Sequence, residues 1–223
     1  SLKHGLQEGR PIKRPENEGN NLDLSTADTA RLEEALSKAN ELGCKTQTSI
    51  SMKALAERTL NIRRCLECGE LKKAGSEAEM SIRNGISSKE ILDVQDEYRN
   101  SQSYDLVATA LLSGQVKGAL GNRNISTIDT SRLDQAIEQG DSVRNKTSVL
   151  KSILNSAKFV VNCRVLLRKQ KWKELEAAFQ DIGYNLDSIW EKAHPELSSM
   201  LEELNDQKIN AQLLVGLDDG AVT

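Results

Sequence analysis

"LSTADTARLEEAL" occupies residues 24–36, and "ISTIDTSRLDQAI" occupies residues 125–137. The two stretches lie 101 positions apart, and seven of their 13 aligned residues are identical. Three further pairs are conservative, namely Leu24 with Ile125, Glu33 with Asp134 and Leu36 with Ile137. Such similarity within one chain predicts a structural unit that occurs twice.

Both stretches carry the signature of a helix start. Ser25 and Asp28 have the spacing of a capping box, as do Ser126 and Asp129. Small or apolar residues then recur at i, i+3, i+4 and i+7, which is typical of one buried helix face. They are Leu32, Ala35, Leu36 and Ala39 in the first stretch, and Leu133, Ala136, Ile137 and Gly140 in the second. Gly43 is predicted to end the first helix.

Weaker similarity continues beyond the first helix at a different spacing. "EAEMSI" at 77–82 and "EAAFQD" at 176–181 lie 99 positions apart, which predicts that the loop after the first helix differs by two residues. At this offset apolar residues coincide, namely Leu55 with Leu154, Leu60 with Phe159, Ile62 with Val161 and Ile91 with Trp190.

We therefore predict an all-α fold of two tandem repeats of about 100 residues, each with about four helices, in an elongated stack of helical hairpins. The predicted helices span about 27–42, 49–68, 72–83 and 88–113, then about 128–140, 148–169, 171–182 and 187–216. Pro195 is expected to start or kink the last helix. Residues 158–167 are the best strand candidate, but the helical period of the residues before them favours a helix.

The predicted domain boundaries follow from glycine-containing junctions. "LLSGQVKGAL" at 111–120 precedes the second repeat, "GLQEGRPIKR" at 5–14 holds the corresponding place before the first, and "LLVGLDDGAV" at 213–222 resembles both. We expect residues 1–23 to be the tail of a preceding repeat plus a polar linker, 24–121 to be repeat 1, and 122–223 to be repeat 2. The chain is then part of a longer array.

Composition restricts the compartment and the partners. The net charge of −3 gives no general attraction to nucleic acid or to an anionic membrane, so nucleic acid is not an expected partner. No apolar run is long enough to span a bilayer, and no signal-peptide pattern begins the sequence. Four unevenly spaced cysteines indicate a reducing, cytoplasmic location without a disulfide framework.

Motifs for catalysis, cofactors and metals are sparse, and we predict no catalytic, cofactor-binding or metal-ligating residue. The sequence has no G-x-S-x-G, Walker A or G-x-G-x-x-G motif, and its only histidines are His4 and His194. Cys65 and Cys68 form a C-x-x-C, which fits ordinary helix packing, a zinc site or a redox pair, in decreasing order of support. An enzyme with an unfamiliar helical active site remains a rival interpretation.

Charge is distributed unevenly along the second repeat. Residues 142–173 contain nine basic residues and no acidic one, whereas residues 174–223 contain eleven acidic and two basic residues. Either the basic helix lies beside an acidic helix of the same protein, or it forms a surface for an acidic partner. The segment 163–175 also resembles a basic amphipathic calmodulin target. The candidate partner-binding residues are Lys158, Arg164, Arg168, Lys169, Lys171, Trp172 and Lys173.

The shared phrase, L-S-T-x-D-T-x-R-L-x-x-A-[LI], with its "LLxG" junctions, resembles α-helical repeats in very large multidomain proteins of single-celled eukaryotes. The resemblance covers nearly the whole chain and implies a scaffold segment beside signalling or cytoskeletal domains. We therefore expect a non-catalytic scaffold or spacer that mediates protein–protein interaction with partners the sequence does not identify. The alternative is a regulatory module that binds calmodulin or acidic lipid through the basic helix 158–173.

Overall fold

The computed structural model describes Leu6 and residues 12–13, 22–23, 29–113, 130–184 and 186–220. The chain divides into two compact units. Unit 1 contains residues 1–102 and 143–149, and unit 2 contains residues 103–142 and 150–223. The predicted capping boxes at Ser25 and Ser126 lie outside the described residues, as do the junction glycines at 114–121.

Helices form almost all of the described chain, so the all-α prediction is confirmed. Four precede residue 114: α1 Ala30–Leu42, α2 Gln47–Glu67, α3 Leu71–Arg83 and α4 Lys89–Ser113. Four follow residue 130: α5 Ser131–Ser142, α6 Ser148–Arg168, α7 Trp172–Asp181 and α8 His194–Gly220. Two short 3-10 helices, Leu186–Ser188 and Glu191–Ala193, precede α8. Two strands of two residues each, β1 Ile12–Lys13 and β2 Leu22–Asp23, pair antiparallel.

The observed boundaries support several local predictions. α1 ends immediately before Gly43, whose φ of 71° is a backbone conformation that suits glycine. Pro195 lies in the first turn of α8, where a proline needs no backbone N–H. The strand candidate at 158–167 lies within α6, as its helical periodicity indicated.

The predicted offset of 99 residues is wrong. The starts of α1 and α5, of α2 and α6, and of α3 and α7 each differ by 101 residues. Burial agrees with this spacing, because Ala78 and Phe179 are both buried, whereas Ala177, which the offset of 99 would pair with Ala78, is exposed. The loop after the first helix therefore does not produce the predicted shift of two residues. The short similarity between residues 77–82 and 176–181 does not reflect a shared packing register.

Among the described residues of unit 1, buried apolar side chains form two clusters. One joins α2 to α3 and α4, and it contains Ile62, Leu66, Ala74, Ala78, Ile91 and Val94. The other joins α1 to α2, and it contains Leu32, Leu36, Ala56 and Leu60, with the half-buried Leu6 packed against it. Helix α2 thus takes part in both clusters, which explains why it is buried along so much of its length.

Unit 2 is organised around α6. Ten of its residues are buried, from Leu150 to Leu167. The rings of Phe159 and Phe179 meet edge to face with their centroids 5.8 Å apart, and this contact joins α6 to α7. Residues of the carboxyl-terminal part of α4 also belong to this unit, and Val107, Ala110 and Leu111 are buried there.

Two helical glycines permit close approach between helices. A Cβ atom at Gly75 on α3 would lie only 2.1 Å from Cγ of Tyr98 on α4. A Cβ atom at Gly140 on α5 would lie 2.7 Å from a methyl carbon of Leu154 on α6. A larger residue at Gly75 would overlap the Tyr98 ring and its Cβ, whereas at Gly140 it would meet the end of the flexible Leu154 side chain, which would have to shift.

A buried amide holds the loop between α5 and α6. The Asn100 side chain on α4 is 3% exposed, and its Nδ2 donates to the carbonyl of Asn145 at 2.7 Å. The backbone N–H of Thr147 donates to Oδ1 of Asn100 at 2.8 Å. Both polar ends of the amide are therefore satisfied within unit 1, as a buried side chain requires.

Candidate functional site

A buried arginine–glutamate pair links three segments of unit 1. Arg63 on α2 is fully buried, and Glu90 lies in the first turn of α4. Arg63 Nε donates to Glu90 Oε1 at 2.8 Å, and Nη2 donates to Oε2 at 3.0 Å. The same Nη2 donates to the main-chain carbonyl of Leu6 at 3.0 Å. We call Arg63, Glu90 and the Leu6 carbonyl the Arg63 clamp.

Unit 2 contains an arrangement of the same kind. Arg164 on α6 and Glu196 in the first turn of α8 are 1% and 2% exposed. Arg164 Nε donates to Glu196 Oε1 at 2.7 Å, and Nη2 donates to Oε2 at 2.9 Å. Nη2 also donates to the carbonyl of Leu111, in the last turn of α4, at 3.2 Å. We call Arg164, Glu196 and the Leu111 carbonyl the Arg164 clamp.

The geometry of the clamps makes these buried charges tolerable. A bidentate arginine–carboxylate pair provides two charge-assisted hydrogen bonds in one plane. Each glutamate also lies in the first turn of a helix, where the helix dipole favours a negative charge. Each arginine thus makes three hydrogen bonds, two to a carboxylate and one to a carbonyl, and these bonds fasten together the segments that carry its partners.

The structure does not bring all of the predicted partner-binding residues onto one surface. The prediction that Arg164 belongs to an exposed basic surface is corrected here, because Arg164 is buried within its clamp. Lys158 is exposed, and its Nζ lies 2.9 Å from Asp141 on α5. Trp172 is half-buried. The remaining candidates are exposed around the turn between α6 and α7, namely Arg168, Lys169, Lys171 and Lys173.

The exposed basic turn is the part of the predicted surface that the structure brings together. Gln170 at its centre has a φ of 53°, a left-handed conformation that reverses the chain between the two helices. Lys171 is engaged locally, with its Nζ 2.6 Å from Glu174. The turn can attract anionic groups electrostatically.

Internal charge complementarity is present in unit 2. Arg164 on the basic helix binds Glu196 on the acidic helix, as one of the two sequence-based interpretations required. Lys208 on α8 binds Glu176 on α7 at 2.6 Å. The Arg164–Glu196 pair therefore joins the basic segment to the acidic one, whereas Lys208 and Glu176 both belong to the acidic segment.

The C-x-x-C motif lies at the end of α2. Cys65 is half-buried in the last turn, and Cys68 is the exposed residue that follows the helix. Burial raises the pKa of the Cys65 thiol and so disfavours the thiolate that metal binding and redox chemistry use. Within the described ranges, no group of three or more His, Cys, Asp or Glu side chains is placed to hold a metal ion.

His194 has a local structural contact. It is the first residue of α8, and its Nε2 donates to the carbonyl of Ile189 at 2.9 Å. The bond joins the start of α8 to the segment that carries the two 3-10 helices. This contact fits the interpretation of His194 as a helix-entry residue.

A shallow groove of about 600 Å³ lies between α1 and α2 of unit 1. Its main ionic contact joins Arg64 and Glu33, with Nη2 and Oε1 2.8 Å apart. The groove is lined by polar and apolar residues of both helices, namely Glu33, Leu36, Ser37, Asn40, Glu57, Leu60, Asn61 and Arg64.

The clamps include three residues that the sequence reading did not single out, namely Arg63, Glu90 and Glu196. A signal was present, since Arg63 and Arg164 are 101 residues apart and each is followed three positions later by a leucine on the buried face. An arginine on a buried helix face requires a hydrogen-bonding partner. The partner glutamate lies 27 or 32 residues away in sequence, so no local sequence pattern identifies it.

No helix among the described residues is long and apolar enough to cross a membrane. No family model matches the chain, and comparisons with curated proteins and with solved structures find no match.

Proposed function

We propose that the chain consists of two copies of one helical repeat and acts as a non-catalytic scaffold or spacer within a larger cytoskeletal or signalling protein. The observation that carries this proposal is the pair of clamps. Each joins the second helix of a unit to the fourth helix and to a carbonyl of the segment before the first helix. An arrangement with this many matched features is the expected result of duplication.

Burial along the second helices supports the same register. At the offset of 101, buried positions coincide as Ala56 with Ala157, Thr59 with Val160, Ile62 with Cys163, Arg63 with Arg164, and Leu66 with Leu167. The fourth helices follow an offset of 106, at which Glu90, Ile91, Val94 and Tyr98 coincide with Glu196, Leu197, Met200 and Leu204, all of them buried. The extra residues of the second copy correspond to the segment of short 3-10 helices before α8.

The proposed mechanism is mechanical. The helices present exposed side chains at fixed positions, and the number of stacked repeats sets the distance between flanking domains. The clamp would carry the connection from repeat to repeat, because its arginine binds a carbonyl of the helix that precedes it. We propose that the repeats form an elongated stack in this way.

Two measurements test the proposal. An antibody raised against the chain should detect, in the source cells, a polypeptide far larger than the chain's 24.6 kDa. Small-angle scattering of the purified chain should give a radius of gyration clearly above the roughly 17 Å expected for a compact protein of this length. A cellular species of the chain's own mass would contradict the larger-protein proposal, and a compact radius would contradict the elongated stack.

The runner-up function is recognition of acidic lipid or calmodulin by the segment 158–173. The exposed side chains of Arg168, Lys169 and Lys173 favour it. Calmodulin binding also requires the apolar side of the helix, and Val160, Leu166 and Leu167 are buried in unit 2.

Titration of the intact chain with calcium-loaded calmodulin and with vesicles containing anionic lipid separates the alternatives. We expect no calmodulin binding by the folded chain, although an isolated 158–175 peptide has the required pattern. Tight binding of calmodulin by the folded chain would favour the regulatory alternative over the scaffold.

A further inference from the structure

The groove between α1 and α2 is bridged at one end by bonds between its two sides. The backbone N–H of Thr29, the residue before α1, donates to Glu67 Oε1 at 3.0 Å. One turn further along α1, Glu33 Oε1 accepts from Arg64 Nη2 at 2.8 Å. Residue numbers rise on α1 while they fall on α2, so the two helices run antiparallel.

The next two pairs of side chains are not bonded across the groove. In the antiparallel order Ser37 comes opposite Asn61, and Asn40 comes opposite Glu57, and all four line the groove. Ser37, Asn40 and Asn61 make no side-chain hydrogen bond to any described residue. Glu57 has a long contact of 3.7 Å with Lys53, one turn earlier on α2. An exposed ion pair of this kind contributes little stability, so the Glu57 carboxylate can take a better partner.

The corresponding place in unit 2 is bridged by a lysine. At the offset of 101, Asn40 coincides with Asp141 on α5, and Glu57 coincides with Lys158 on α6. Lys158 Nζ lies 2.9 Å from Asp141 Oδ2 and joins the two helices. In unit 1, both positions carry an oxygen acceptor and neither carries an ammonium group.

We propose that the groove of unit 1 binds a lysine side chain from an extended segment of a partner protein. The ammonium group lies between the Glu57 carboxylate and the side-chain oxygen of Asn40, where unit 2 has its own lysine. The charged residues of the groove favour a cation, since they are two glutamates and one arginine. This inference rests on the proposed scaffold of two repeats, and it names the chemistry of a partner segment.

The unbonded amides of the groove favour a peptide over a simple amine. The side chains of Asn40 and Asn61 each offer an N–H₂ donor and a carbonyl acceptor. An extended main chain offers the complementary carbonyl and N–H groups, so it can bind Asn61 and Ser37 while its lysine reaches Glu57. A polyamine has no carbonyl to accept from the asparagine N–H₂ groups.

The size and floor of the groove suit such a segment. Its volume of about 600 Å³ lies in the range that is typical of ligand sites. Leu36 and Leu60 form an apolar part of the lining. The methylene stem of a lysine can lie on this apolar part while its ammonium group reaches the polar rim.

Nuclear magnetic resonance of the full chain tests the proposal with the peptide acetyl-Ala-Ala-Lys-Ala-Ala-amide. At about 0.15 M salt, which screens long-range attraction, the side-chain N–H₂ signals of Asn40 and Asn61 should shift saturably. The same peptide with an acetylated lysine, and spermidine as a free polyamine, should each bind at least about fivefold more weakly. No saturable shift of these signals, or equal binding by either comparison compound, overturns the proposal.

Matched variants identify the carboxylate and the open rung. Glu57→Gln keeps the size of the side chain and should weaken peptide binding by at least about fivefold, because a charge-assisted bond becomes a neutral one. The control Glu202→Gln removes the same charge from an exposed position outside the groove and should leave binding unchanged. Asn40→Asp combined with Glu57→Lys reproduces the pair of Asp141 and Lys158 and should abolish binding while circular dichroism shows the helices retained. Wild-type binding by Glu57→Gln or by the double variant overturns the proposal.

Failure of this proposal is distinguishable from failure of the scaffold. Absence of peptide binding would remove the lysine site but leave the immunoblot and the scattering experiment unaffected. A cellular polypeptide of the chain's own mass would instead contradict the larger scaffold, whatever the result of the titration.

Discussion

Replacement of Glu196 by glutamine should strongly destabilise unit 2. The substitution keeps the size and shape of the side chain but removes the negative charge that neutralises Arg164. Both side chains are 1% exposed, so water cannot take over the role of the lost carboxylate. Glutamine accepts one of the two hydrogen bonds through its oxygen and turns an N–H₂ donor toward the other guanidinium nitrogen.

The expected magnitude follows from the geometry of the Arg164 clamp. Two short bonds of 2.7 and 2.9 Å join the charged groups, and removing one partner of such a buried pair costs about 3–5 kcal/mol. With a urea m-value of about 2 kcal/mol per molar, the unfolding midpoint should fall by about 1.5–2.5 M. Arg164→Met combined with Glu196→Leu should recover most of the loss, leaving about 1 kcal/mol for the Leu111 carbonyl.

Tryptophan fluorescence provides a local assay, because both tryptophans of the chain, Trp172 and Trp190, belong to unit 2. Urea unfolding followed by fluorescence therefore reports on the unit that contains the Arg164 clamp. Glu202→Gln, at an exposed position further along α8, serves as the control and should change the midpoint little. A loss below about 1 kcal/mol for Glu196→Gln would refute the argument that the clamp is a desolvated ion pair.

Three further predictions concern single side chains. Thr59→Val should stabilise the chain by about 1 kcal/mol, measured by urea unfolding and circular dichroism, because among the described residues the buried Thr59 hydroxyl has no hydrogen-bond partner; a loss of stability would contradict this. Gly75→Ala should destabilise by about 1–3 kcal/mol in the same assay despite the better helix propensity of alanine, since its Cβ would overlap the Tyr98 ring, and a gain would show that α3 and α4 separate easily. Burial raises the pKa of the Cys163 thiol from 9.0 to about 12, so the unfolded chain loses this proton first and the free energy of unfolding should fall as pH rises from 9 to 12. Cys163→Ala should reduce that slope by up to about 1.4 kcal/mol per pH unit, and an unchanged slope would place the thiol in contact with water.

The sequence specified the helical content because its signals are local. Apolar residues at helical spacing, Gly43 after the first helix and Pro195 at the last helix each act through neighbours within a turn or two. The same reasoning retained 158–167 as helix although its composition also suits a strand. The predicted helices therefore agree with the observed ones to within a few residues, apart from the 3-10 segment before α8.

Short sequence matches were a weaker guide to the packing register than the positions of buried residues. Residues 77–82 and 176–181 share a Glu-Ala pair, yet the two alanines differ in burial, since Ala78 is buried and Ala177 is exposed. Short matches on an exposed face carry little packing constraint. Buried residues constrain packing more strongly, and their positions identify the offset of 101 between α2 and α6.

The location of the charges was decided only by the tertiary structure. By sequence alone, Arg164 belongs to a run of basic residues with Lys158 and Lys169, both of which are exposed. Its burial depends on Glu196, 32 residues away, and on the Leu111 carbonyl, 53 residues away. A charged side chain enters a core only where distant groups provide its hydrogen bonds, and folding is what brings those groups together.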